Sequence, residues 1–366
     1  MGRFWRAVCV CHHNRRVGDV LRNSDFTLSE EQETLRSTFA TLFERESPFD
    51  RVREAEPLGF DEKLWQQMID TGVPVMGLPT SRGGDGAGLV ELVLVAEQQG
   101  YRLAPVPLVP VVTATRLLAR CGDLTTDVLA AVSAGTRRIV LALQPASSGD
   151  AQLVSGGAVA DGVVGLLGEQ LVLATRDEPV DGPRNLGSEP LGWWDLADSQ
   201  VSRIELASGS DAVTWFGDAT REWRLLTSAA LVGNAQGALD LAVQYAKDRL
   251  AFGVPIGTFQ AVAHPLADVA CALEGARRLV WKAAWLADHE PDQAPAKIEM
   301  AYVQACRTAE HATRVGIHTE GGFGFTLESD MQLYFRRAKS ATLLGGDPRA
   351  HLASIADLLY GAAAEQ

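Results

Sequence analysis

The chain has 366 residues, 46% of them hydrophobic and 22% charged, a composition that buries large cores and leaves room for two or three domains. Forty-six acidic against 33 basic residues give a net charge of -13, which repels nucleic-acid phosphates, and no 18-residue uncharged apolar run is present to cross a bilayer. Five cysteines, at positions 9, 11, 121, 271 and 306, are odd in number and scattered, which argues against a secreted disulfide scaffold and for a cytoplasmic protein.

Residues 1–24 are basic and lack apolar periodicity, so they read as an atypical leader. Thiolate and imidazole ligands suit zinc, but Cys9, Cys11, His12 and His13 all fall within five residues with no partner cluster downstream, whereas a tetrahedral site ties together separate segments. No metal is expected. Helix begins after Phe26, where Ser29 and Gln32 form a capping box and Glu30 and Glu31 suit the positive end of the helix dipole. Leu35, Phe39, Leu42 and Phe43 mark its apolar face. A second helix is predicted over 61–71 with Leu64, Met68 and Ile69 buried, then a glycine-rich loop over 76–88. A third helix follows over about 89–101, and the prolines of LAPVPLVP fix an extended turn before another near 111–119.

From about 136 to 215 the period changes. Short β-rich runs at 137–143, 162–167, 169–175 and 202–206 are separated by glycine, serine, proline and aspartate clusters, as in a small sheet domain. No GxGxxG follows a strand, which speaks against a Rossmann site. After Arg221 the chain returns to helix, with predicted segments over 224–249, 261–289, 295–315 and 349–360. The first is apolar around most of its circumference and belongs inside a bundle. The expected architecture is α+β: an N-terminal helical domain (25–125), a middle small β domain (126–215) and a C-terminal four-helix bundle (216–366).

Two clusters carry chemistry. In YAKDRLAFGVPIGTFQAVAH (245–264), Arg249, Phe252 and Gln260 offer a guanidinium fork, an aromatic face and a carboxamide. In HTEGGFGFTLESDMQLYFRRAK (318–339), Gly321, Gly322 and Gly324 permit close backbone approach to a ligand. Taken singly, each is equally compatible with a solvated arginine, a packed phenylalanine or a turn glycine.

Together with MGLPTSRGGDG (76–86) and RLAPVP (102–107), these segments resemble the acyl-CoA dehydrogenase family in the family's order, over about 26–360. The resemblance implies FAD at a subunit interface, in a tetramer or dimer. Arg249, Phe252 and Gln260 would contact the cofactor from across that interface, and Gly321 and Gly322 would meet it as well. It also implies an acyl-CoA substrate and electron-transfer flavoprotein or a similar acceptor.

The departures from the family pattern are informative. Counting six residues on from Lys339, where the family commonly places its catalytic glutamate, gives Gly345; counting ten back from Gly233, the family's other location, gives Trp223. Neither can accept a proton, and Glu222 is turned about 100° away from Trp223 around a helix. No catalytic residue is therefore assigned. Where the family shows a flavin-binding loop, Gln144, Ser147 and Ser148 are the candidates, and His318 and Glu320 replace the usual glutamine and histidine before the paired glycines. The pattern fits an auxiliary subunit of an α2β2 heterotetramer of the actinobacterial steroid side-chain type, in which a base-bearing homologue supplies the glutamate. Two other readings stand beside it: a self-sufficient homomeric dehydrogenase using Glu222, Glu320 or Asp347, and a non-enzymatic acyl-CoA-binding or scaffold protein.

Overall fold

The computed structural model describes residues 27–147, 149–178 and 180–361. The leader with Cys9, Cys11, His12 and His13, and Ser148, lie outside the described residues. In chain order the elements are α1 (Glu30–Glu46), α2 (Phe49–Glu54), α3 (Glu62–Thr71), α4 (Leu89–Tyr101), α5 (Leu108–Arg120), α6 (Thr126–Ser133), β1 (Ile139–Leu141), β2 (Gln152–Val154), β3 (Gly162–Leu167), β4 (Gln170–Thr175), β5 (Gly192–Trp194) and β6 (Ser202–Ser208). There follow α7 (Gly209–Asp248), the short strands β7 (Leu250–Ala251) and β8 (Val254–Pro255), α8 (Gln260–His289), α9 (Ala294–Glu320), α10 (Met331–Leu344) and α11 (Pro348–Tyr360).

Local chemistry sets most boundaries. The capping box forms as expected: the Ser29 hydroxyl accepts from the Gln32 amide at 3.2 Å and the Gln32 side chain accepts from the Ser29 amide at 3.0 Å. Leu35, Phe39 and Phe43 are buried behind it, while Leu42 and Ile69 are only half-buried. α5 starts earlier than the proline pattern suggests, at Leu108 rather than near 111. Pro110 then sits in the first turn, where its missing N–H has no helical partner to lose. Likewise α7 starts at Gly209 and α9 runs on to Glu320. The helix Met331–Leu344 joins the four expected in the C-terminal part.

Contacts divide the chain into two compact units. The first comprises 54–88 and 105–223. Its four-stranded sheet has the order β1-β3-β4-β6, with β1 parallel to β3 and the other pairs antiparallel; β2 and β5 form a separate ribbon. α5 packs on β1 and β3, burying Leu117, Leu118, Val140 and Val164. Trp194 is fully buried because its indole N–H reaches the Gly157 carbonyl at 3.0 Å.

The second unit comprises 27–53, 89–104 and 224–361. Here α4 and α7 touch backbone to backbone. A Cβ on Gly233 would lie 1.9 Å from the Glu97 carbonyl oxygen, and one on Gly100 would lie 1.9 Å from that of Ala230. The same crossing buries Glu97, which accepts from Arg277 at 2.8 Å while Arg277 also donates to Gln236. α9 packs against α8, α10 and α11. No described helix is long and apolar enough to cross a membrane.

Candidate functional site

The first predicted cluster is a two-residue hairpin joined to a helix start. β7 and β8 pair through Leu250 with Pro255 and Ala251 with Val254, and the Ile256 amide donates to the Arg249 carbonyl at 2.8 Å. The turn residues Phe252 and Gly253 have φ of 54° and 82°, the left-handed pair that matches strand twist in a tight hairpin. Glycine adopts this geometry without strain; phenylalanine does so at a cost of about 1 kcal/mol or more. The Phe252 side chain is 97% exposed, with the Phe259 ring edge-on to it at 6.2 Å between centroids. A large apolar side chain held outward at a conformational cost points to contact with something outside the chain.

Arg249 and Gln260 are also exposed, and neither side chain has a hydrogen-bond or ion-pair partner among the described residues. Gln260 is the first residue of α8. That first turn and the last turn of α9 share a cleft of about 360 Å³, lined by Ala261, Val262, Pro265, Arg314, His318 and Thr319. Gly321 closes α9 with φ 67° and ψ -141°, a conformation that disfavours any side chain. Gly321 and Gly322 are exposed, and a Cβ on either would meet nothing within 4 Å. Arg249, Phe252, Gln260, Gly321 and Gly322 thus all lie on exposed surface of the second unit. Gln144 and Ser147 are exposed in the first unit.

The carboxylates considered as bases are each engaged. Glu222 holds Arg116 at 2.7 Å, and Arg116 also donates to the Gly77 carbonyl at 2.8 Å. Neighbouring Trp223 is buried. Burial raises Glu320 above the usual carboxylate range, against the opposing bond from the Ser329 hydroxyl at 2.5 Å. Its carboxylate is thereby turned to the corner before α10, since Ser329 in turn accepts from the Met331 amide. Asp347 caps α11 and is held low by hydrogen bonds from Arg349.

Sequence reading missed what stands at Gly345. The carbonyl of this glycine, which ends α10, lies 3.0 Å from Nε2 of His351, whose Nδ1 lies 2.7 Å from buried Glu299. Glu299 also accepts from Arg224 at 2.8 Å. Partners 75 and 52 residues apart leave no local spacing that would have revealed this clamp. It pins the α10–α11 corner through a backbone carbonyl and places no free carboxylate there.

The fold and these segments define a family. The model of the acyl-CoA dehydrogenase N-terminal domain matches residues 29–125, and that of the C-terminal domain matches 214–360. The chain is 31% identical over 333 residues to the acyl-CoA dehydrogenase IpdE2 of Mycolicibacterium smegmatis, covering 89% of this chain and 97% of that one. It is 30% identical over 359 residues to the acyl-CoA dehydrogenase FadE27 of Mycobacterium tuberculosis, covering 88% and 95%. The chain belongs to the acyl-CoA dehydrogenase family. Among solved structures, the ChsE4-ChsE5 complex of Mycobacterium tuberculosis superposes with a TM-score of 0.79 at 26% identity, covering 93% of this chain and 100% of that one. A variant of the Tcur3481-Tcur3483 steroid ACAD gives 0.80 at 28% identity, covering 91% and 98%.

Proposed function

We propose that this chain is the auxiliary, base-lacking subunit of a heteromeric FAD-dependent acyl-CoA dehydrogenase, acting on acyl-CoA thioesters with steroid side-chain CoA esters as the substrate class. The observation that carries the reading is that the two family positions for the base hold Trp223 and Gly345, while Glu222, Glu320 and Asp347 are each committed to neighbours. Abstraction of the substrate's α proton then needs a glutamate from a base-bearing homologue in an α2β2 assembly. Two solved neighbours, one named as the ChsE4-ChsE5 complex and the other as the Tcur3481-Tcur3483 steroid ACAD, favour the same reading.

The residues present fit a flavin nucleotide. The Arg249 guanidinium, without a partner among the described residues, suits phosphate oxygens, the exposed Phe252 ring offers an apolar face, the Gln260 carboxamide both donates and accepts, and Gly321 and Gly322 leave room for close approach. When bound, FAD supplies the hydride acceptor. This chain's part is to hold it with Arg249, Phe252, Gln260, Gly321 and Gly322, with electrons passing on to electron-transfer flavoprotein or a similar acceptor in the cytoplasm.

The test is coexpression with a base-bearing homologue and flavin quantitation of the purified complex. Roughly two FAD per four chains are expected, as for one cofactor per heterologous pair. A colourless homotetramer with no affinity for any base-bearing homologue would sink the proposal.

A further inference from the structure

α9 presents Arg307, His311, Arg314 and His318 at spacings of four, three and four residues, which aligns them on one helical face over about 16 Å. Arg307, Arg314 and His318 are exposed and His311 is half-buried. None of the four side chains has a hydrogen-bond or ion-pair partner among the described residues. Most other arginines among the described residues are paired, as Arg53 is with Asp330, Arg102 with Glu44, Arg116 with Glu222, Arg120 with Asp218 and Arg277 with Glu97.

The carboxylates on the same stretch of helix offset the row only in part. Glu310 is held by Lys339 of α10 at 2.8 Å, and Glu320 is turned to Ser329. Glu310, Lys339 and Phe335 join Arg307, His311 and Arg314 around a groove of about 380 Å³ between α9 and α10. Beyond Arg314 the row continues along the cleft at the start of α8. With Arg307, Arg314 and Lys339 set against the single carboxylate of Glu310, a chain of net charge -13 keeps a net positive groove along one helix.

We propose that this row is an interface that selects a different chain over a second copy of this one, its occupant being a helix of the partner subunit with aspartates or glutamates at matching spacing. Two-fold pairing of a helix face with the same face of a second copy sets residue i against residue j and j against i. With the axis passing near His311, the arginines of one copy face the arginines of the other. Such juxtaposition disfavours self-assembly, while a carboxylate-bearing helix gains the complementary attraction. The inference rests on the heteromeric reading above and adds to it the surface and the chemistry by which the partner is chosen.

The test needs only this chain and its charge-reversed form, so its failure leaves the flavin and missing-base arguments standing. Full-length wild type is mixed with the double variant Arg307→Glu, Arg314→Glu, and homo- and hetero-complexes are resolved by native mass spectrometry and sedimentation at low and high salt. The wild-type:variant complex should form at least tenfold more tightly than the wild-type pair, equivalent to about 1.4 kcal/mol. That preference should vanish in about 1 M salt, where the screening length falls to about 3 Å. The Arg307→Ala, Arg314→Ala form should relieve self-repulsion without the added attraction and fall between. Cross-association no greater than statistical mixing, or absent altogether, would overturn the proposal. So would saturable binding of inorganic phosphate in the groove with no change in cross-association, which would mark a small-anion site instead.

Discussion

Replacing Glu299 by glutamine removes a charge from the clamp at the α10–α11 corner while keeping the side chain's shape. Glu299 is 3% exposed and accepts from Arg224 at 2.8 Å and from His351 at 2.7 Å. Arg224 and His351 bind different carboxylate oxygens and glutamine keeps only one acceptor, so one charge-assisted bond of roughly 1.5–3 kcal/mol becomes a neutral one of about 1 and the other is lost, a cost of about 2–5 kcal/mol. Losing one partner of a fully buried ion pair costs about 3–5 kcal/mol. Arg224 retains 24% side-chain exposure, and the lower part of these ranges therefore applies. The loss should also be local, because His351 is the buried residue of α11 and the clamp is what docks it. Urea unfolding of the Glu299→Gln form should show the stability loss, and amide hydrogen exchange should quicken over 348–360 more than over α8. A change below about 0.5 kcal/mol with unaltered exchange in α11 would refute the reasoning, since a buried carboxylate with two donors does not lose its charge without effect.

In the assembled complex, Arg249→Leu should weaken FAD binding about tenfold or more and Arg249→Lys by an intermediate amount, because lysine keeps the charge and loses the planar fork; equal flavin retention in titrations of all three proteins would remove Arg249 from the site. Gly233→Ala should lower stability by roughly 3 kcal/mol or more or prevent folding, since its Cβ would lie 1.9 Å from the Glu97 carbonyl; a thermal midpoint within a degree or so of wild type would contradict the close crossing of α4 and α7. Burial works to raise Asp218, but hydrogen bonds and charge from Arg120 and Arg221 outweigh it and leave the group below the ordinary aspartate range. Its folded value is depressed, so its contribution is present above the unfolded value of about 3.9 and fades as pH falls through the lower folded value. Acid titration of stability should therefore be steeper below about pH 4 in wild type than in Asp218→Asn; identical acid limbs would count against the pairing.

The sequence by itself determined the elements whose causes are local. Ser29 and Gln32 start α1 because a capping box needs only residues three apart, and the glycine-rich stretch 76–88 stays out of long helix for want of side-chain and backbone constraint. It also carried the candidate site motif, since Arg249, Phe252 and Gln260 lie within a dozen residues, and the absence of a carboxylate at Trp223 and Gly345, which requires only counting. The short strands β2 and β5 went unread because three-residue runs such as Gln152–Val154 gain their identity from pairing with Gly192–Trp194, forty residues away. Helix α10 was obscured by its charged and glycine-flanked surroundings, and its burial of Met331, Leu333 and Tyr334 emerges only against α9. What the tertiary structure alone decided is how each polar group is used. Pattern could nominate Glu222, Glu320 and Asp347 as bases, but Arg116, Ser329 and the amide end of α11 had claimed them. Those partners are distant or fixed by local geometry, and a proton acceptor's availability depends on its three-dimensional neighbours rather than on its place in the chain.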